Sequence, residues 1–298
     1  MKYYLLNIKL SEHGNLVDKY IKERKCAPLF FRDTTIEDIK NKTSSFSKWG
    51  PNQRRDIELF YETFGNGINK DAIICSIGEN DVYLYKQTGP LEHGEQFQDE
   101  GKLGIEKCFR VELCGQCPIK EAPLILSTIK ANAWLGRGTI KEIPARGSYL
   151  GNIKAMEWII QNKKQTVEDF QAYLYCLSSL EFETLIAKLY EDEGYHVPAY
   201  KGGFLKDFDL FVYPNENNST PETIQIKLIL ESWLAKTKPD TIFWCIDTKN
   251  QEHDNKNIVD WKSIKSKLID GKHRNATKWL LRTLYWLVPP VELQQVQS

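Results

Sequence analysis

The chain lacks an excess of either charge: among its 298 residues, 40 Lys and Arg balance 40 Asp and Glu. No global field draws it to nucleic acid or to an anionic membrane, so any polyanion site must be a local patch. It also lacks an apolar run approaching the ~20 residues that cross a bilayer. Lys2, Asn7 and Lys9 interrupt the apolar residues at its start, which removes a signal-peptide layout. These features predict a cytoplasmic protein with no membrane partner. Its 7 cysteines, odd in number and scattered from Cys26 to Cys245, form no disulfide framework, which fits a reducing compartment. Internal repeats and low-complexity tracts are absent too, which excludes solenoids and disordered polymers.

What remains is a globular composition, 41% hydrophobic and 12% aromatic, with ample material for a packed core. At about 150 residues per domain the length suggests two domains, and the pattern changes near residue 150. We therefore expect a β-rich recognition domain over 1–150 and an α/β domain over 151–298. The first half reads as short strands: Tyr3 to Leu10, Ala72 to Ile77, Val82 to Tyr85, Lys107 to Leu113, Leu124 to Ile129 and Thr139 to Ile143. Gly78-Glu79-Asn80-Asp81 reads as a hairpin turn of residues that tolerate positive φ, and Asn52 to Phe64 as a helix ended by Gly65-Asn66-Gly67. A closed or partly closed barrel would protect so many strand edges, and the pattern is loosely similar to PUA-like barrels.

The second half has helical periodicity at Ile153, Met156, Ile159 and Ile160, then a helix over Val167 to Leu177. Ser178 and Glu181 form a capping box for a helix whose buried face is Phe182, Leu185, Ile186, Leu189 and Tyr190, with Gly194 at its end. A Gly202-Gly203 turn, strands over Phe208 to Tyr213 and Thr223 to Ile229, a helix around Glu231 to Lys236 and an apolar strand Thr241 to Ile246 follow. Helices over Ile258 to Ile269 and Ala276 to Val288 complete an α/β pattern (α+β for the whole chain) around a central mixed sheet.

Asp209 opens one of these strands, and Gln225 and Lys227 share a face of the next, because strand side chains alternate. If the two strands pair as an antiparallel hairpin, Asp209, the Gln225 amide oxygen and the Ile226 backbone carbonyl make a hard oxygen site suited to Mg²⁺ or Mn²⁺. A metal there would neutralise charge on a scissile phosphate and lower the pKa of an attacking water. Lys227 would orient that water or stabilise the pentavalent state.

The runs Leu180-Glu181-Phe182-Glu183, Gly194-Tyr195, Lys206-Asp207-Phe208-Asp209-Leu210 and Ile224-Gln225-Ile226-Lys227 fall in an order that resembles the catalytic core of Mrr-type restriction endonucleases, in the PD-(D/E)xK superfamily. The resemblance spans about residues 175 to 250. It implies a metal-dependent DNA endonuclease of restriction or antiviral defence, with Glu183, Asp209, Gln225 and Lys227 as its active site. Gln225 stands where the superfamily's name has a carboxylate, as in other Mrr-type sequences, and Phe204-Leu205-Lys206 replaces the usual Gly-rich approach to the strand Asp. One such site cuts one strand, so double-strand cleavage needs a homodimer or two nicks. The metal chemistry does not distinguish DNA from RNA.

Target choice falls to the first half, where Trp49, Tyr83, Tyr85 and Trp134 are candidates to stack on a base, with core filling as the competing role of each. Cys114-Gly115-Gln116-Cys117 has zinc-knuckle spacing without a second pair and reads better as a strand ending in a turn. Gly136-Arg137-Gly138 and Arg146-Gly147 are nonspecific phosphate-cradle patterns. Lys249, Lys256, Lys262, Lys265, Lys267, Lys272, Arg274, Lys278 and Arg282 offer a basic C-terminal surface for a DNA backbone. The rival reading is a catalytically silent nucleic-acid-binding or sensor protein that keeps the nuclease fold.

Overall fold

Runs of β-branched and aromatic residues build most of the first half into one mixed sheet of seven strands. The computed structural model describes residues 1–298 apart from 11–12, 32–33, 130–137, 199–207, 215–219, 232–240, 250–256 and 296–298. It divides into two units, Met1–Ala145 with Ala155–Asn162, and Arg146–Lys154 with Lys163–Ser298. The first unit runs β1 (Lys2–Leu6), β2 (Lys9–Leu10), β3 (Gly14–Asn15), β4 (Cys26–Leu29), α1 (Ile36–Asn41), α2 (Ser44–Ser47), α3 (Pro51–Phe64), β5 (Ala72–Ile77), β6 (Asp81–Gln87), β7 (Glu92–Asp99), β8 (Lys102–Pro118), α4 (Leu124–Ser127) and β9 (Ile140–Ile143).

The sheet order is β4-β8-β6-β5-β1-β9, with β7 also pairing β8. β1 and β5 are parallel, and every other pair in this sheet is antiparallel. Among the described residues the path from β4 to β9 does not close, so the expected barrel is instead an open sheet. The physical reason is α3, between the parallel strands β1 and β5 in the sequence. Pro51 opens α3 at its first turn, where a missing N–H costs nothing. Ile57, Phe60 and Phe64 recur along its buried face and share one core with Tyr4, Ile74, Tyr85 and Phe109 of the sheet. The helix buries a sheet face that a barrel would have to close upon itself. Each such fully buried side chain contributes about 1.5–3 kcal/mol.

Two local expectations differ. Leu124 to Ile129 is not a strand: Leu124–Ser127 form the single turn α4, since a short apolar run lacks a periodicity that separates helix from strand. The β5–β6 hairpin forms, but none of its turn residues has positive φ. Gly78 is needed for space instead, because a Cβ there would stand 2.7 Å from the Asp18 carboxylate, which accepts the Glu79 N–H at 3.0 Å.

After α5 (Leu150–Gln161), whose residues fall in both units, come α6 (Phe170–Leu174), α7 (Ser179–Asp192), β10 (Leu210–Val212), β11 (Glu222–Glu231), β12 (Ile242–Lys249), β13 (Ile258–Val259), α8 (Trp261–Ile269), α9 (Arg274–Thr283) and α10 (Val291–Gln295). The second unit therefore has a four-stranded mixed sheet, β10-β11-β12-β13, antiparallel at β10/β11 and parallel beyond. α7 forms as its sequence dictates. Ser178 Oγ accepts the Glu181 N–H, Glu181 Oε2 accepts the Ser178 N–H, and Phe182, Leu185, Ile186, Leu189 and Tyr190 are buried. Gly194, at φ +87°, ends it in the left-handed conformation that glycine adopts without strain. Ile258 and Val259 are strand rather than helix, and Asp260 caps α8. The expected helix around Glu231 meets the end of β11 at Glu231, and its remainder, like Gly202 and Gly203, lies outside the described residues.

Burial raises the pKa of Glu181 above 4.5, against the lowering effect of its bonds to Ser178. The native state thus holds this proton more tightly than the unfolded chain, and the carboxyl's contribution to stability falls as pH rises from about 4.5 through its folded pKa. Glu181→Gln keeps the reciprocal cap, so thermal unfolding from pH 4 to 7 should lose this decline and show no destabilisation at pH 7. A variant clearly less stable at pH 7 would show that the charge itself contributes.

Candidate metal and phosphate site

The β10/β11 hairpin sets the site. Leu210 pairs with Ile224, Phe211 with Thr223 and Val212 with Glu222, and the Asp209 N–H donates to Ile224 O at 2.8 Å. Asp209 thereby ends the ladder, and its carboxylate turns along the edge of β11. Its Oδ2 accepts the Ile226 N–H at 2.6 Å and Lys227 Nζ at 3.1 Å. Among the described residues Oδ1 makes no hydrogen bond. One carboxylate oxygen is anchored and the other is left to ligate.

Two further oxygens are candidates for the same set. N–H and C=O of one strand residue point to the same edge, so the Ile226 carbonyl is directed to the edge that Asp209 occupies. Gln225 shares its face of β11 with Lys227 and is only 6% exposed, beside Phe243 in the parallel register. Among the described residues its Oε1 is buried without a hydrogen-bond partner. Such an orphan costs about 1–3 kcal/mol, a cost that a bound cation would offset. Carboxylate, amide and carbonyl oxygens are the donors that Mg²⁺ or Mn²⁺ prefers, so the residues present fit the metal. Among the described residues no group of three or more His, Cys, Asp or Glu gathers as a metal cluster, at this site or elsewhere.

This reading predicts opposite effects of one substitution. Gln225→Leu removes the orphan and should stabilise the protein in chelator by about 1 kcal/mol, while weakening its affinity for Mn²⁺. Urea denaturation with and without Mn²⁺ reads both. A variant destabilised in chelator and unchanged in metal affinity would remove Gln225 from the site.

Glu183 is placed differently. It is half-buried on α7, whose Tyr190 accepts a hydrogen bond from Trp244 Nε1 at 3.2 Å. Trp244 is in register with Ile226, so α7 meets the sheet on the Ile226 face, and alternation turns Gln225 and Lys227 away from this helix. Sequence order alone does not carry that distinction.

The stacking candidates divide as well. Tyr83 and Tyr85 are fully buried, the first donating to Asp18 and the second bonded to Ser76 at 2.8 Å, so neither ring has a face for a base. Core packing in β6 claims both. Trp49 is half-buried, donates to Thr34 Oγ1 at 2.7 Å and stands edge-on to Phe31. Trp134, Gly136 and Arg137 lie outside the described residues. Cys114 and Cys117 sit in the last turn-ward residues of β8, and burial raises both thiols' pKa, which disfavours the thiolates a zinc site needs.

Of the basic C-terminal residues, Lys249, Lys265 and Lys267 are committed to ion pairs with Glu231, Glu292 and Glu193. Lys272, Lys278 and Arg282 form no ion pair among the described residues. Lys256 lies outside them. Comparisons of the chain with protein-family models, with curated proteins and with solved structures find no match.

Proposed function

We propose that the second unit is a Mg²⁺- or Mn²⁺-dependent phosphodiesterase that acts on DNA, in the manner of a restriction or defence endonuclease, with the first unit choosing the target. The observation that carries this reading is the Asp209–Lys227 contact at 3.1 Å on the strand that also holds the unpartnered Gln225 Oε1. Asp209 Oδ1, Gln225 Oε1 and the Ile226 carbonyl would hold the cation. When bound, it neutralises charge on the scissile phosphate and lowers the pKa of the attacking water. Lys227 has two tasks: it fixes the orientation of Asp209 through Oδ2, and its side chain, 36% exposed, lies within reach of a phosphate oxygen or water at the site. The free basic residues of the C-terminal part provide sequence-independent contacts to a backbone. Since one site cuts one strand, linear products call for a second copy of the chain.

Supercoiled plasmid, with and without modified bases, and a folded RNA of similar length test this reading with the intact protein in Mg²⁺, in Mn²⁺ and in EDTA. Relaxed or linear DNA in metal and none in EDTA is the expected result. Binding without cleavage across every substrate would support the silent binding protein instead.

A further inference from the structure

The first unit contains a cavity of about 480 Å³ whose lining includes Asn7, Lys9, Phe30, Phe31, Asp99 and Thr139. Its volume falls within the roughly 300–1,000 Å³ of small-molecule sites. The lining is held from behind by buried groups. Lys107, fully buried, donates to the carbonyls of Phe31 and Thr34 and so clamps the segment that carries the two phenylalanines. The Phe30 ring is edge-on to Tyr20 and Phe97 at 5.3 and 5.1 Å. Elsewhere in the lining, the Asn7 N–H donates to Thr139 O at 2.8 Å, Asn7 Nδ2 to Gly138 O at 2.9 Å, and the Thr139 N–H to Asp56 Oδ2 at 2.6 Å. A cavity braced in this way needs no assembly on binding, which lowers the ordering cost of a ligand.

The chemistry of the lining narrows the ligand. The half-buried Phe30 ring offers an apolar face for a flat group. Asp99, 9% exposed, is an acceptor, and a carboxylate takes several hydrogen bonds at once, so a ligand N–H can join those it makes within the protein. Lys9 is exposed and supplies a cation to the lining. An apolar flat face, a deep acceptor and an outer ammonium match a nucleotide held base inward. Thymine and uracil present a single N–H flanked by carbonyls that a carboxylate repels, whereas adenine, cytosine and guanine present an amino group.

We propose that this cavity binds one nucleotide whose base carries an exocyclic amino group, the ring against Phe30, the amino group toward Asp99 and the phosphate beside Lys9. This deepens the target-choosing role proposed for the first unit and rests on it, but its test reads binding alone, so its failure is separable from a failure of cleavage.

Saturation-transfer NMR and titration of the intact protein with dAMP, dCMP, dGMP and TMP, and with the corresponding nucleosides, test it. At least one amino-bearing nucleotide should bind, about tenfold tighter than TMP. Phe30→Ala should lose about tenfold in affinity for it, and Asp99→Asn should erase the preference over TMP. Because Phe30 also packs on Tyr20 and Phe97, Lys9→Glu at an exposed position serves as the second variant. It should weaken the monophosphate toward the nucleoside's affinity and leave the nucleoside unchanged. No binding of any of the nucleotides, TMP bound as well as the others, or unchanged binding in both Phe30→Ala and Lys9→Glu would overturn the proposal.

Discussion

Replacing Lys227 with alanine should lower DNA cleavage by about 10²–10³-fold, the usual cost of removing one preorganised charge-stabilising group, with little change in folding. Lys227 Nζ is bound to Asp209 Oδ2 at 3.1 Å, and both side chains are partly open to solvent, at 36% and 23% exposure. An ion pair this exposed adds little to stability, so its value must be sought elsewhere. Without it the Asp209 carboxylate keeps, among the described residues, only the Ile226 N–H, and is free to rotate Oδ1 away from the direction proposed for the metal. The variant should therefore lose affinity for metal modestly and turnover severely. Lys227→Arg keeps the charge but replaces a compact ammonium by a planar fork, and should recover only part of the rate. Circular dichroism and urea unfolding confirm the intact fold, and single-turnover cleavage reads the loss. Unchanged cleavage in Lys227→Ala would remove this residue from the chemistry.

The largest loss of stability is expected from Asp56→Ala in the first unit. Asp56 and Lys141 are 4% and 8% exposed, and their charges meet at 3.4 Å between α3 and β9. Asp56 Oδ2 also accepts the Thr139 N–H. Deleting the carboxylate leaves a buried ammonium without its counter-charge and a part-buried amide without an acceptor, which costs about 3–5 kcal/mol. With a denaturant slope of about 1–3 kcal/mol per molar urea, the midpoint of unfolding for this unit should fall by about 1–5 M. The double variant Asp56→Leu/Lys141→Met removes both charges and should regain most of the loss, since apolar pairs of similar volume often replace buried ion pairs without cost. A double variant as unstable as Asp56→Ala would mean that the amide bond to Thr139, rather than the charge pair, holds β9. Gly138, at φ +92°, belongs to the same arrangement because a Cβ there would overlap the Asp56 carboxylate.

How much of this could be read in the residues depends on the range of the interaction involved. The cap at Ser178 and Glu181, the buried face from Phe182 to Tyr190 and the Gly194 stop are set within a few residues of each other, and all appear in the structure as the pattern predicts. The hairpin that brings Lys227 to Asp209 is also local in the chain, and it forms with the expected antiparallel sense. By contrast, β1 pairs in parallel with β5 and β4 pairs with β8. Such partners are chosen by tertiary packing over long separations, and no local signal names them. β7 was hidden for another reason: its polar run from Glu92 to Asp99 is mostly exposed and lacks the apolar alternation that marks a half-buried strand. The same limit separates Tyr83 and Tyr85 from surface aromatics, because burial in β6 depends on helix α3 and on Asp18 and Ser76, none of which the strand's own residues reveal. Glu183 lies between these cases. Its helix is legible, but the face of β11 that the helix covers is a property of the sheet.

The most direct test of the site is a titration of the intact protein with Mn²⁺, followed by calorimetry and by electron paramagnetic resonance, alongside Asp209→Ala. The account predicts one weak site per chain in the intact protein and its loss in the variant, with Gln225→Leu intermediate. Absence of Mn²⁺ binding in the intact protein, or equal binding in Asp209→Ala, would contradict it.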